Sequence, residues 1–202
     1  MKKSMAILLS LVLVAAMSVA GTLAFLTAQD QVVNTFTVGT MLADGGLTLN
    51  ESALVRNADG TYSLDKDKPV KKNDNYVIVP GVNLPKDPYV DVTFKGENPE
   101  SAYLFVEVNS TLPAELGFTL TSDWTATELK GVNGGTVYKY KAGTPFNTNL
   151  VKVPLLNQDM ISVPAAYAPA ENGSYQLSFT AYICQAAGFA DAEAAWNGSF
   201  AA

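Results

Sequence analysis

Residues that commonly carry out catalysis are few in this chain of 202 residues. It has no histidine and a single cysteine, Cys184. Without histidine, a Ser/His/Asp triad, a Cys/His pair and a two-histidine zinc helix are all excluded. A thiol without a histidine partner is a weak nucleophile, so we expect Cys184 to be inert, with cross-linking between chains as the alternative. We therefore predict no catalytic residue and no cofactor.

Carboxylates are the remaining source of chemistry, and two pairs lie close in sequence: Asp65 with Asp67, and Glu97 with Glu100. No apolar neighbours surround them to raise a pKa, so their sequence context is typical of solvated acids rather than of general acid/base catalysts. Oxygen ligands for calcium could come from Asp65 and Asp67 or from residues 73–75. The spacing of an EF-hand is not present, and we predict no metal site.

The amino-terminal residues indicate the location of the protein. Lys2 and Lys3 precede an uncharged, largely apolar run that ends in a stretch of small residues. This order is typical of a secretory signal peptide, and it predicts that residues 1–24 form a signal helix cleaved between Ala24 and Phe25. Because the apolar run is also long enough to span a bilayer, an uncleaved anchor is the alternative.

The rest of the chain, residues 25–202, is predicted to be one domain, since this length can bury a substantial core. The formal net charge of the whole chain is −6, and it becomes −8 once the two signal lysines are removed. An acidic surface argues against nucleic acid or anionic membrane as a partner. Basic residues interleaved with aspartates are predicted to be a solvated loop. They are Lys66, Lys68, Lys71 and Lys72.

Short strands bounded by Gly, Pro, Asn or Asp follow one another along the domain. The candidate strands are 31–38, 46–51, 53–56, 61–64, 76–79, 89–95, 102–109, 117–121, 136–141, 151–154 and 174–184. In the last of them, alternation places Phe179 on the apolar face, and Thr180 and Cys184 on the more polar face. Asp191 is a candidate N-cap for a short helix. The pattern predicts an all-β, two-sheet antiparallel sandwich, with residues 52–75 as a loop or hairpin excursion.

Three segments resemble the TasA/camelysin family of secreted proteins. They are GTLAFLTAQDQVVNTFTVGTM at 21–41, PGVNLPKDPYVDVTFKG at 80–96 and FTAYICQAAGFADAEAAW at 179–196. Residues 111–172 carry no such motif. The resemblance implies a precursor cut by a SipW-type signal peptidase and a β-sandwich of jelly-roll type. It also implies assembly into extracellular or cell-surface fibres of biofilm-matrix type in Gram-positive bacteria.

Self-association is therefore the function that we expect for the secreted protein, with the membrane involved only at the precursor stage. Cleavage frees an apolar, β-prone segment, 25–33, and such a segment can add a strand to the sheet of a neighbouring copy. Its predicted apolar anchors are Phe25, Leu26, Val32 and Val33. The alternative is that 31–38 is the first strand of a self-contained sandwich. Two other functions are left open: a camelysin-like secreted metallopeptidase, which the absence of histidine disfavours, and a monomeric surface-binding module.

Overall fold

The computed structural model describes residues 27–31 and 34–36 as backbone, and residues 41–74, 76–168 and 174–200 with their side chains. These residues form antiparallel β-sheets and one short α-helix, so the all-β prediction is confirmed. The strands are β1 Thr27–Gln31, β2 Asn34–Phe36, β3 Leu42–Arg56, β4 Tyr62–Val70, β5 Leu84–Pro85, β6 Tyr89–Phe94, β7 Ala102–Ser110, β8 Trp124–Lys130, β9 Thr136–Tyr140, β10 Leu150–Pro154, β11 Met160–Ile161 and β12 Leu177–Gln185. The helix, α1, spans Ala192–Ser199.

Two large sheets and one small sheet organise these strands. The six-stranded sheet has the order β2-β1-β12-β7-β9-β8, and the four-stranded sheet has the order β10-β6-β3-β4. The small sheet pairs β11 with β5. The main core contains buried residues of both large sheets, including Val90 and Val92 of β6 and Val106 and Ile183 of the six-stranded sheet. The two large sheets therefore share one apolar interior.

Strand β6 follows its sequence pattern. Val90, Val92 and Phe94 are buried, whereas Thr93 between them is exposed. One face of β6 therefore contributes to the core, as alternation with a period of two requires.

Helix α1 changes the environment of the other face of β12. Asp191 caps the helix through a 2.8 Å hydrogen bond that its side chain accepts from the Ala194 N–H, which confirms the predicted N-cap. Trp196 is fully buried and packs edge-on against Phe105 and Tyr182 of the six-stranded sheet. An ion pair between Lys139 and Glu193 joins the helix to β9. The face predicted to be the more polar one is therefore covered by the helix.

Several predicted strand boundaries are wrong. Residues 46–51 and 53–56 belong to the single strand β3. The pairing of β3 with β4 shifts register between Ser52 and Ala53, and the strand continues through this irregularity. The basic residues predicted to lie in a loop are partly in β4. Residues 76–79 form no strand, and 117–121 make only isolated bridges. Strand β8 was not predicted, because its residues after Trp124 show no apolar alternation.

Candidate functional site

The edge of β12 is the place where the predicted assembly segment meets the folded domain. Strand β1 pairs with β12 in antiparallel register from Thr27 opposite Cys184 to Gln31 opposite Thr180. Strand β2 then turns back and pairs with the outer side of β1. The prediction of a single strand over 31–38 is wrong, because residues 27–31 and 34–36 form two separate short strands. Strand β1 has a partner on each side.

Strand β12 is a buried strand that needs a partner on this side. Six consecutive residues, Phe179–Cys184, are buried, and the opposite edge of β12 is occupied by β7 over nine residue pairs. The β1 side holds the remaining backbone groups of this buried strand. An unpaired N–H or C=O group there would carry the free-energy cost of a lost hydrogen bond. A strand, from this chain or from another, satisfies those groups.

The predicted anchors and the cleavage site fall outside the residues that the structure describes. Ala24, Phe25, Leu26, Val32 and Val33 are all in this group. The described backbone of residues 27–31 places the middle of the predicted donor segment beside β12. Sequence patterns predicted a strand here but could not identify its partner.

The pairing of the outermost strands β10, β8 and β4 is irregular. Strand β10 shifts register against β6 between Leu150 and Val153, and Lys152 within it has a positive φ of 49°. Strand β8 shifts against β9 between Ala126 and Lys130, and β4 shifts against β3 between Ser52 and Ala53. Irregularities of this kind twist an edge away from partners and discourage pairing between molecules. The β1 side of β12 pairs without such a shift.

Cys184 lies under the helix rather than on a polar surface. It is fully buried in a cluster with Tyr103, Ala192 and Trp196. Burial raises the pKa of the Cys184 thiol to about 12, so the thiol stays protonated and unreactive at neutral pH. The prediction of a polar-facing thiol is wrong, because the face opposite the main core is itself covered.

A buried charged cluster on the four-stranded sheet was missed by the sequence analysis. Lys86 donates to Glu51 Oε2 at 2.7 Å, and both side chains are less than a tenth exposed. Asp87 accepts hydrogen bonds from the backbone N–H and the hydroxyl of Ser52, at 2.8 and 2.7 Å. Lys66 of β4 reaches the same aspartate at 2.9 Å. The sequence feature that could have revealed this cluster is the pair Lys86 and Asp87, placed directly before the buried strand β6.

Glu107 is a second buried charged residue that was missed. It has no exposed surface, and it lies in β7 among residues that are nearly all apolar. Its carboxylate accepts hydrogen bonds from the backbone N–H groups of Asn133 and Gly135, at 2.8 and 2.7 Å, and from the Tyr182 hydroxyl at 2.8 Å. Burial, followed by this bond to Glu107, raises the pKa of Tyr182. A glutamate inside an apolar strand was the available sequence signal.

No group of three or more His, Cys, Asp or Glu side chains suited to a metal ion occurs among the described residues. Within the same part of the chain, no helix is both long and apolar enough to cross a bilayer. A comparison of the chain with protein families, with curated proteins and with solved structures finds no match.

Proposed function

We propose that the protein is a secreted structural subunit that self-assembles into extracellular or cell-surface fibres of biofilm-matrix type. In this proposal a SipW-type signal peptidase removes the signal helix after Ala24, and the mature chain is a single jelly-roll-like sandwich. The three segments that resemble the TasA/camelysin family support it. The proposal assigns no catalytic role and no cofactor to the chain.

The observation that carries the proposal is the pairing of β1 with β12 through residues 27–31. The contact that the structure describes is a backbone ladder, and a ladder can be formed equally well by the same segment of another copy. Exchange of an identical element between copies is a low-cost route to association. We therefore propose that segment 25–33 of one subunit occupies the β12 edge of the next, with Phe25, Leu26, Val32 and Val33 as apolar anchors.

The experiment is deletion of residues 25–30 from the mature protein, followed by electron microscopy and size-exclusion chromatography. We expect a folded monomer that forms no filaments, because two thirds of the donor segment is absent. The matched control is Val151→Lys on β10, where the side chain is 78% exposed and the edge is irregular. That variant should form filaments in normal yield.

Three results would contradict the proposal. Filaments of normal yield from the truncated protein would exclude segment 25–30 as donor. A mature protein that stays monomeric across a wide concentration range would instead favour a surface-binding module. Casein turnover by the purified mature protein, abolished by a chelator, would favour the metallopeptidase alternative.

A further inference from the structure

A groove of about 370 Å³ lies between strand β4 and the small sheet of β5 and β11. One wall is formed by Tyr62, Leu64 and Lys66, which alternate along β4 and therefore share one face of the strand. At the rise of an extended strand, the distance from the first to the last of these residues is about 13 Å. The volume lies within the range of about 300–1,000 Å³ that is usual for ligand sites. The groove is therefore long enough to hold a section of a linear polymer.

The opposite wall includes a strained turn just before β11. Gln158 and Asp159 line the groove and have positive φ values of 59° and 51°. Residues other than glycine rarely adopt this conformation, and those that do are concentrated at binding and active sites. The Asp159 carbonyl accepts a 2.8 Å hydrogen bond from the Lys86 N–H, which holds the turn in place. The backbone that carries both side chains is therefore fixed before any ligand binds.

Asn83 and Asp159 supply a donor and an acceptor to this wall. The Asn83 amide is oriented by the Val163 N–H, which donates to its Oδ1 at 3.0 Å, and its nitrogen donates to the Met160 sulfur at 3.4 Å. An amide nitrogen carries two N–H donors, so the second can reach a ligand. Asp159 accepts from Lys66 through Oδ2, and its carboxylate has further lone pairs. The wall can therefore both donate hydrogen bonds to a ligand and accept them from it.

Apolar surface lies beside these polar groups. Pro85 and Met160 line the groove together with Tyr62. The Tyr62 ring is tilted against the Tyr76 ring, with centroids 6.1 Å apart, and its hydroxyl accepts a 3.1 Å hydrogen bond from the Val77 N–H. A sugar has matching surfaces, because its C–H groups pack against aromatic rings and its hydroxyls bond to amides and carboxylates. The groove therefore has the chemistry that a carbohydrate requires.

From this arrangement we propose that the groove binds a linear, uncharged oligosaccharide. An acidic glycan is disfavoured, because Lys66 is already paired with Asp87 and Asp159, at 2.9 and 2.8 Å, and the chain has a net charge of −6. A peptide strand is disfavoured because the charged residues and Pro69 of β4 discourage strand addition at this edge. Tyr62 packs against a sugar ring, and the opposite wall bonds to its hydroxyls. This activity is independent of strand donation at β12.

Isothermal titration calorimetry of the mature protein tests the proposal. The probes are four neutral tetrasaccharides: cellotetraose, laminaritetraose, maltotetraose and tetra-N-acetylchitotetraose. We expect at least one to bind with a dissociation constant below about 1 mM. Because the ligand is uncharged, its affinity should change little between low and high salt. Failure of all four to bind would overturn the proposal, and so would binding of the acidic tetragalacturonate as tight as that of any neutral probe.

Variants at two positions separate loss of the groove from loss of folding. Gln158→Gly removes a lining amide and relieves a positive φ, so its urea unfolding midpoint should not fall, whereas its affinity should fall about fivefold. Ala142→Gly, an exposed residue outside the groove with a φ of 55°, is the matched control and should bind as tightly as the wild type. Tyr62→Ala should lower the affinity about tenfold. Unchanged affinity in both Gln158→Gly and Tyr62→Ala would overturn the proposal.

Discussion

Glu107 and Glu51 are both buried carboxylates on a β-sheet, and the protein accommodates them in opposite ways. Glu107 contacts uncharged donors, of which the two backbone N–H groups come from the single turn between β8 and β9. Glu51 contacts the ammonium of Lys86, a residue 35 positions away. Buried charge is costly unless it is paired or fully hydrogen-bonded. The first solution depends on the directions of fixed donors, whereas the second depends on opposite charge between distant segments.

Mutation of Trp196, which packs over the part of the sheet that contains Glu107, should have the largest effect on stability. Trp196→Ala removes a fully buried side chain that packs on Tyr182 and Phe105, and we expect a loss of about 3–5 kcal/mol of unfolding free energy. Urea unfolding measures it. The control is Asn197→Ala, an exposed position in the same helix, which should change stability by less than about 0.5 kcal/mol. Equal effects would mean that the helix does not protect the sheet.

Glu107→Gln tests the solution that uses neutral donors. The substitution points an NH₂ group at donors that need an acceptor, and we expect it to cost about 1–3 kcal/mol. Because the donors are uncharged, the cost should change little between low and high salt. Glu128→Gln at an exposed position of β8 is the control and should be nearly neutral. A loss that falls strongly as salt rises would show that charge pairing, rather than donor geometry, holds Glu107.

Alkaline pH tests the burial of Cys184 beside this region. Its thiol pKa is raised from 9.0 to about 12, so the thiol ionises first in the unfolded chain. The stability that this group contributes is complete below pH 9 and is lost as the pH rises toward 12. Relative to Cys184→Ala, the wild type should lose about 1.4 kcal/mol per pH unit in that window. Parallel pH profiles for the two proteins would show that the thiol is accessible to water in the native state.

Lys66→Ala should have the smallest effect, although Lys66 bridges Asp87 and Asp159 at 2.9 and 2.8 Å. Its side chain is 57% exposed, so water and salt screen both ion pairs. We expect a loss below about 1 kcal/mol that shrinks as ionic strength increases. Lys68→Ala, an exposed position on the same strand, is the comparison. A loss of several kcal/mol at high salt would show that the ion pairs of Lys66 are shielded from solvent, as that of Lys86 is.

Local features were predictable from the sequence because their causes are local. The alternation in β6 and the Asp191 cap are both observed. The packing on the outer face of β12 was not predictable, because it depends on a helix later in the chain. The ion pair between Lys86 and Glu51 also escaped prediction, because no periodic pattern relates residues so far apart.

The candidate site was predictable only in part. Composition and alternation identified the segment after residue 24 as strand-forming, and the structure places its residues 27–31 on β12. The identity of that acceptor edge depends on which strands occupy the other positions of the sheet. Sequence patterns describe the faces of a strand and carry little information about its neighbours.

The single buried thiol makes the protein its own kinetic probe. Cys184 lies beneath the helix, so a thiol reagent can reach it only after the helix has moved away from the sheet. The labelling rate therefore reports how often the helix opens, with no engineered residue and with one product per chain. Comparing that rate in the monomer and in filaments would show whether assembly slows the opening of the helix.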